Sequence, residues 1–143
     1  MIILLVEDNP GDVRLTQEAF KEGNYYAQID LRVVSDGEEA LKYLRKQGKY
    51  EGVPTPDIIF LDLNLPRKEG KEVLREIKSD KDLCVIPVVI LTTSEAANDI
   101  MEVYRYHANC YITKPVDINH FINVIKSIEN FWFSVVTLPT RAV

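Results

Sequence analysis

The chemistry available to this chain rests on Glu7, Asp8, Asp62, Thr92 and Lys114. Each sits just past a short apolar run. Ile2–Val6 stops at Glu7-Asp8, Ile58–Leu61 at Asp62, residues 88–91 at Thr92, and the short run 110–112 lies just ahead of Lys114. No local motif joins these positions, so only folding brings them together. Carboxylates that converge in a cleft repel one another and are relieved by protonation or by a bound hard cation. Mg²⁺ takes oxygen ligands, keeps several waters, and uses one or two carboxylates plus a phosphate. A lysine across the cleft neutralises further charge, and a threonine hydroxyl donates one hydrogen bond to an added oxyanion. Such a set suits a carboxylate that accepts a phosphoryl group. Taken singly, Asp62 also reads as a solvated loop residue, and Glu7-Asp8 as acids placed at a helix N-terminus.

The elements that must position these residues alternate along the chain. Short, unalternated, β-branched runs read as strands buried on both faces, as in a parallel sheet. Residues 29–33 alternate instead, which predicts an edge strand, and 110–112 predicts the other edge. Between the runs lie amphipathic stretches. The first helix is capped by Asn9 with Pro10 at its first position. A second follows Ser35-Asp36-Gly37-Glu38, which has capping-box spacing, and should end near Gly48. A third carries Val73, Leu74 and Ile77. Ser94 is the expected cap of a fourth with Ile100, Met101, Val103 and Tyr104. Asp117 is the expected cap of a fifth, running through Phe121, Ile125 and Ile128 to Trp132. Five βα units in this order predict a flavodoxin-like (βα)5 fold, a doubly wound parallel sheet of strand order 2-1-3-4-5. Ligands of such sheets bind at the carboxyl ends of the strands, where the five residues fall.

Composition narrows the class. The chain has 143 residues, 46% of them apolar and 27% charged, which fits one globular domain and excludes wholesale disorder. With 17 basic and 22 acidic residues its net charge is −5, against a general nucleic-acid binder. No apolar run is long enough to span a membrane, and the N-terminus lacks the basic region of a signal peptide. Cys84 and Cys110 make no disulfide framework and read as ordinary small apolar residues in a reduced, cytoplasmic setting. His107 and His120 read as helix residues without a catalytic role.

Four ordered segments carry a resemblance. Leu4-Leu5-Val6-Glu7-Asp8-Asn9, Phe60-Leu61-Asp62-Leu63-Asn64-Leu65-Pro66, Ile90-Leu91-Thr92-Thr93-Ser94 and Tyr111-Ile112-Thr113-Lys114-Pro115 resemble the motifs of the response-regulator receiver family of two-component systems. The resemblance covers residues 1–133, leaving 134–143 as a C-terminal tail. It implies that Asp62 accepts a phosphoryl group from a sensor histidine kinase. It implies Mg²⁺ held by Asp8, Asp62 and the main-chain carbonyl of Asn64, with Glu7 acting through water. Lys114 would pair with the phosphoryl group, Thr92 would be the switch hydroxyl, and Tyr111 the switch aromatic that turns inward with it. The Lys114–Pro115 bond would be cis. Thr93 departs from the Ala or Gly usual after the switch threonine, and its extra bulk is expected to slow phosphoryl loss.

Phe131-Trp132-Phe133, Val135 to Pro139 and the long loop 47–56 are similar to single-domain cyanobacterial phytochrome-type response regulators. That implies a light-sensing or other histidine kinase as partner and a homodimer through helix 4, strand 5 and helix 5, with Met101, Tyr104, Tyr106 and the C-terminal aromatics on its surface. The alternative for those aromatics is a tail folded back over them. Since the chain ends ten residues past the fifth helix, no output domain is expected, and catalysis is limited to self-phosphorylation and self-dephosphorylation. Two other classes remain: an aspartate-nucleophile phosphatase, which typically has a second acid where this chain has Asn64, and a pseudo-receiver acting only as a binding module.

Overall fold

The computed structural model describes residues 1–139. Five parallel strands, β1 (Ile2–Val6), β2 (Asp30–Val34), β3 (Ile58–Leu61), β4 (Val88–Thr92) and β5 (Cys110–Thr113), form one sheet in the order β2-β1-β3-β4-β5. The expected flavodoxin-like topology is therefore present. β3 and β4 are buried throughout and β1 almost so, while β2 and β5 keep partly open faces, as edge strands should. Strand alternation splits the core in two. Ile3, Leu5, Phe60, Val89 and Leu91 pack with Phe20 of α1 (Pro10–Lys21) and with Phe121, Ile125 and Ile128 of α5 (Ile118–Asn130). Leu4, Val6, Ile59, Leu61 and Ile90 face the other way. They meet α2 (Gly37–Leu44), α3 (Gly70–Ser79) and α4 (Ala97–Arg105).

Local chemistry explains most helix starts. Asn9 caps α1, accepting from the Asp12 N–H at 3.1 Å, with Pro10 at the first position, and Asp117 caps α5 at 3.0 Å from the His120 N–H. Four expectations shift. The cap of α2 is Asp36, one residue on from the expected box: its carboxylate accepts from the Glu39 N–H at 2.8 Å. That helix also ends early, at Leu44, because Lys46 turns the chain at φ 55. Ser94 does not cap α4, which starts after Ala96; its hydroxyl reaches the Asp99 side chain at 2.5 Å instead. β2 begins at Asp30, since the Ile29 N–H closes a 3₁₀ turn on the Tyr26 carbonyl.

His107 also departs from expectation, lying just past α4 at φ 71, whereas His120 is in α5. Both cysteines are free thiols. After Asn130 the chain winds into one wide π-turn, Phe131–Val135, closed by the Val136 N–H on the Phe131 carbonyl at 3.0 Å. The segment expected as tail begins inside this turn, and its residues 140–143 lie outside the described ones.

One close approach positions the site. Gly70, the first residue of α3, presses against the backbone that follows β3. A Cβ there would lie 2.2 Å from the Asp62 carbonyl oxygen and 2.6 Å from Leu63 Cα. Backbone atoms cannot yield as a flexible side chain would. Gly70→Ala should therefore cost about 1–3 kcal/mol as an overpacking change, although alanine is the better helix former. Chemical denaturation of the two proteins checks this, and an unchanged midpoint would show that the loop gives way.

Candidate functional site

At the carboxyl edge of the sheet, the ladder of backbone hydrogen bonds runs one step past the strands. The Glu7 N–H donates to the Val34 carbonyl at 3.0 Å, the Asp62 N–H to Val6 at 3.1 Å, and the Lys114 N–H to Thr92 at 2.7 Å. Those three bonds fix the stems of the acid pair, the central aspartate and the lysine. Side chains from β1, β3, β4 and β5 thus meet at one point, as strand-end placement predicts.

The centre of the cluster is the Asp62 carboxylate, 7% exposed. Its Oδ1 accepts from the Thr92 hydroxyl at 2.8 Å and from the Asn64 N–H at 3.1 Å. Oδ2 accepts from Lys114 Nζ at 3.1 Å. The same ammonium donates to Glu7 and, at 2.9 Å, to Asp12 Oδ2. Thr92, Glu7 and Lys114 are all buried, whereas Asp8 is exposed at the mouth. Tyr111 lies half-buried beside the site, its hydroxyl donating to the Ser94 carbonyl at 2.7 Å. Thr93 is exposed at the start of the next loop. The Lys114–Pro115 bond is trans, not the cis form that the resemblance implied. Trans is the isomer that X–Pro bonds favour by about 0.5–1 kcal/mol.

Burial and charge divide the protons unevenly. Burial pushes the Glu7 carboxyl up to about 7; Lys114 opposes this, and the nearby Asp62 charge adds to it. Burial also works to raise Asp62, but it is overcome. The Lys114 charge, the Glu7 hydrogen bond, the Asn64 N–H and the Thr92 hydroxyl together hold that carboxyl below its ordinary value. The Lys114 ammonium is held above its ordinary value despite burial, because Glu7 and Asp12 bond to it. Asp62 is therefore ionised and hydrogen-bonded, and of the two buried carboxyls Glu7 is the one that takes up a proton as the pH falls through about 7.

Carboxylate oxygens of Glu7, Asp8 and Asp62 come within 4.8 Å of one another. This all-oxygen trio is the donor set a hard divalent cation prefers. The charge also fits. Four carboxyl groups, Glu7, Asp8, Asp12 and Asp62, share the site with one ammonium, so acidic groups are in excess, as a bound cation requires.

Residues 3–126 match the response regulator receiver domain family. The chain belongs to that family. It is 46% identical over 138 residues to the response regulator Rcp1 of Synechocystis, covering 96% of this chain and 92% of Rcp1. The Mn²⁺-bound form of Rcp1 superposes with a TM-score of 0.92, covering 97% of this chain and 99% of that one. The phosphorylated cyanobacterial phytochrome response regulator RcpA is 49% identical, with a TM-score of 0.92 over 97% of this chain and 98% of that one. The bacteriophytochrome response regulator AtBRR is 39% identical, with a TM-score of 0.71 over 92% and 94% of the two chains. Membership makes this a signalling domain whose partner is a histidine kinase, related to phytochrome response regulators, with an acidic divalent-metal pocket at Glu7, Asp8 and Asp62.

All five residues singled out in the sequence meet at this edge, with Tyr111 close by. Asp12 was not foreseen. It stands in the first turn of α1, where an acid is explained by the helix dipole alone.

A cation bound among the trio competes with the Glu7 proton. Below about 7 the proton is held; above it the site is free to bind. Mn²⁺ affinity should therefore rise from about pH 6 to about pH 8 and then level off, and Glu7→Gln should flatten the profile. Calorimetric titration of Mn²⁺ at several pH values checks this. A flat wild-type profile would mean that Glu7 is already ionised.

Proposed function

We propose that Asp62 accepts a phosphoryl group from a phosphohistidine of a phytochrome-type sensor kinase, and that this resets a protein-binding surface. The arrangement of the Asp62 carboxylate carries the reading: ionised, buried, with Thr92 and the Asn64 N–H on one oxygen and Lys114 on the other. In the transfer, an Asp62 oxygen bonds to phosphorus as the phosphorus–nitrogen bond of the donor breaks. The electron pair leaves on the imidazole, which then takes up a proton. Lys114 pairs with the incoming phosphoryl oxygens, and the Thr92 hydroxyl turns to one of them. Asp8, Asp62 and the main-chain carbonyl of Asn64 would hold Mg²⁺, with Glu7 acting through a water; such an ion would offset charge on the phosphoryl oxygens.

Tyr111, bonded to the loop after Thr92, is the switch aromatic in this reading, and the surface it controls is α4–β5–α5. Met101, Tyr104 and Phe131 are exposed there and support a homodimer through that face. Trp132 packs on the core and Phe133 stacks on Tyr25 with ring centres 4.9 Å apart, so part of the aromatic surplus serves the fold itself. The net charge of −5 supports protein partners rather than nucleic acid. No described helix is long and apolar enough to cross a membrane, and the cytoplasm is the setting this reading assigns to the exchange with a kinase. Phosphoryl exchange on Asp62 is the whole of the catalysis proposed.

Incubation with acetyl phosphate and Mg²⁺ should add about 80 Da, one phosphoryl group, and Asp62→Asn should abolish the gain. Light scattering on the same samples should report a dimer. Absence of the adduct, from acetyl phosphate and from a phosphorylated histidine kinase alike, would overturn the assignment. Thr93 is exposed directly after Thr92, and in this reading its bulk obstructs an attacking water. Thr93→Ala should raise the rate of phosphoryl loss by about two- to tenfold, on the order of 1 kcal/mol of barrier. The decay of the adduct mass with time is the measurement, and equal decay rates would exclude this role.

A further inference from the structure

Lys114 has one ammonium and three hydrogens to donate. All three are committed, to Glu7 Oε1, Asp12 Oδ2 and Asp62 Oδ2. Asp12 stands apart from the other two. It comes from α1, not from a strand end, and it is not in the trio with Glu7 and Asp8. Its backbone is pinned on both sides, since its N–H donates to Asn9 Oδ1 at 3.1 Å and its carbonyl accepts from the Thr16 hydroxyl at 2.8 Å. A fixed stem aims its carboxylate at Nζ. Water reaches it far more readily: the Asp12 side chain is 28% exposed, against 3% for Glu7 and 8% for Asp62.

A phosphoryl oxygen can receive a hydrogen bond from this ammonium only if one of the three bonds is released. Releasing the deeply buried Glu7 carboxyl leaves it with no replacement partner, which is costly, and Asp62 is the group that carries the phosphoryl. A carboxylate at the solvent edge is taken up by water at little cost. We propose that Asp12 is the positioning residue of the Lys114 ammonium. It holds the third hydrogen in the resting protein and surrenders it to a phosphoryl group on Asp62. Asp12 thereby competes with the phosphoryl group and sets how tightly the site holds one. The inference rests on the reading of Asp62 as the acceptor.

Beryllofluoride, which mimics a phosphoryl group on a carboxylate, provides the test. Its affinity is measured by ¹⁹F NMR titration at a Mg²⁺ concentration that saturates each protein. Asp12→Asn keeps the shape and removes the competing charge, so it should bind the mimic about three- to tenfold tighter than wild type. Asp12→Ala should change it in the same direction, and Asp12→Glu, which restores the competitor, should return towards wild type. In a Lys114→Met background, Asp12→Asn should have no effect, because the ammonium through which it acts is gone. A merely structural Asp12 would give the same change in both backgrounds. Unchanged or weaker binding by Asp12→Asn, or an equal gain without Lys114, overturns the inference while the Asp62 reading stands. No binding by the wild-type protein at saturating metal overturns both.

Discussion

One ammonium shared among buried carboxylates is the constraint on which the rest of this structure depends. Glu7 and Asp62 lie at the sheet edge almost out of contact with water, and two such charges side by side repel strongly. Lys114 lies between them, and their affinities for a proton move apart: Glu7 is raised to about 7, and Asp62 is held below its ordinary value. A buried group of this kind requires satisfied partners on every side. The backbone meets that need by extending its ladder past β1, β3 and β5, and Thr92 and Asn64 complete the coordination of Asp62. What remains is residual negative charge aimed outward at the mouth of the site, where Asp8 is exposed. That residue of charge is the basis of both metal binding and the proposed phosphoryl chemistry.

The sheet is built to hold this edge still. β1, β3 and β4 are apolar on both faces, and their alternate residues fill two separate cores. A strand locked on both sides cannot slip without moving its whole apolar set to the wrong face. The polar residue that ends each strand inherits this rigidity. Gly70 adds a second constraint from above, since only its missing Cβ lets α3 start directly on the Asp62–Leu63 backbone. A different economy of space occurs at the far end of the molecule. There Gly23 leaves room for the Glu129 carboxyl, which packs where a Cβ would stand and accepts from the Tyr25 N–H at 3.0 Å.

This division explains what was legible before any coordinates. Short apolar runs ending in an acid, a threonine or a lysine are strong signals, because burial on two faces permits little else; they revealed the strands, the edges and all five strand-end residues. Helix starts were less legible. Ser94 has the chemistry of a cap but finds a better partner in Asp99, and Asp36 takes the cap of α2 from the serine before it. Such choices depend on side-chain partners that spacing alone does not reveal. Asp12 was hidden for a related reason. An acid in the first turn of a helix already has a local explanation, so nothing in the sequence demanded that it reach across to a strand-end lysine.

The loop after β4 joins the site to the rest of the surface. Ser94 is held from two directions, its carbonyl by Tyr111 and its hydroxyl by Asp99. Asp99 is paired in turn with Lys71 of α3 at 2.5 Å, and Lys71 also reaches Glu102 at 2.6 Å. A single connected set of bonds therefore runs from β5 through the loop to α4 and back to α3, and α3 starts where the Asp62 backbone ends. In the proposed switch, a shift of Thr92 moves the residue next to this loop. The loop cannot follow by bending freely, because its partners belong to two different elements, β5 and α4, the second of them tied on to α3. In the proposed switch the set is released together. Two arrangements separated by a collective break make a switch, whereas independent contacts would give only a graded response.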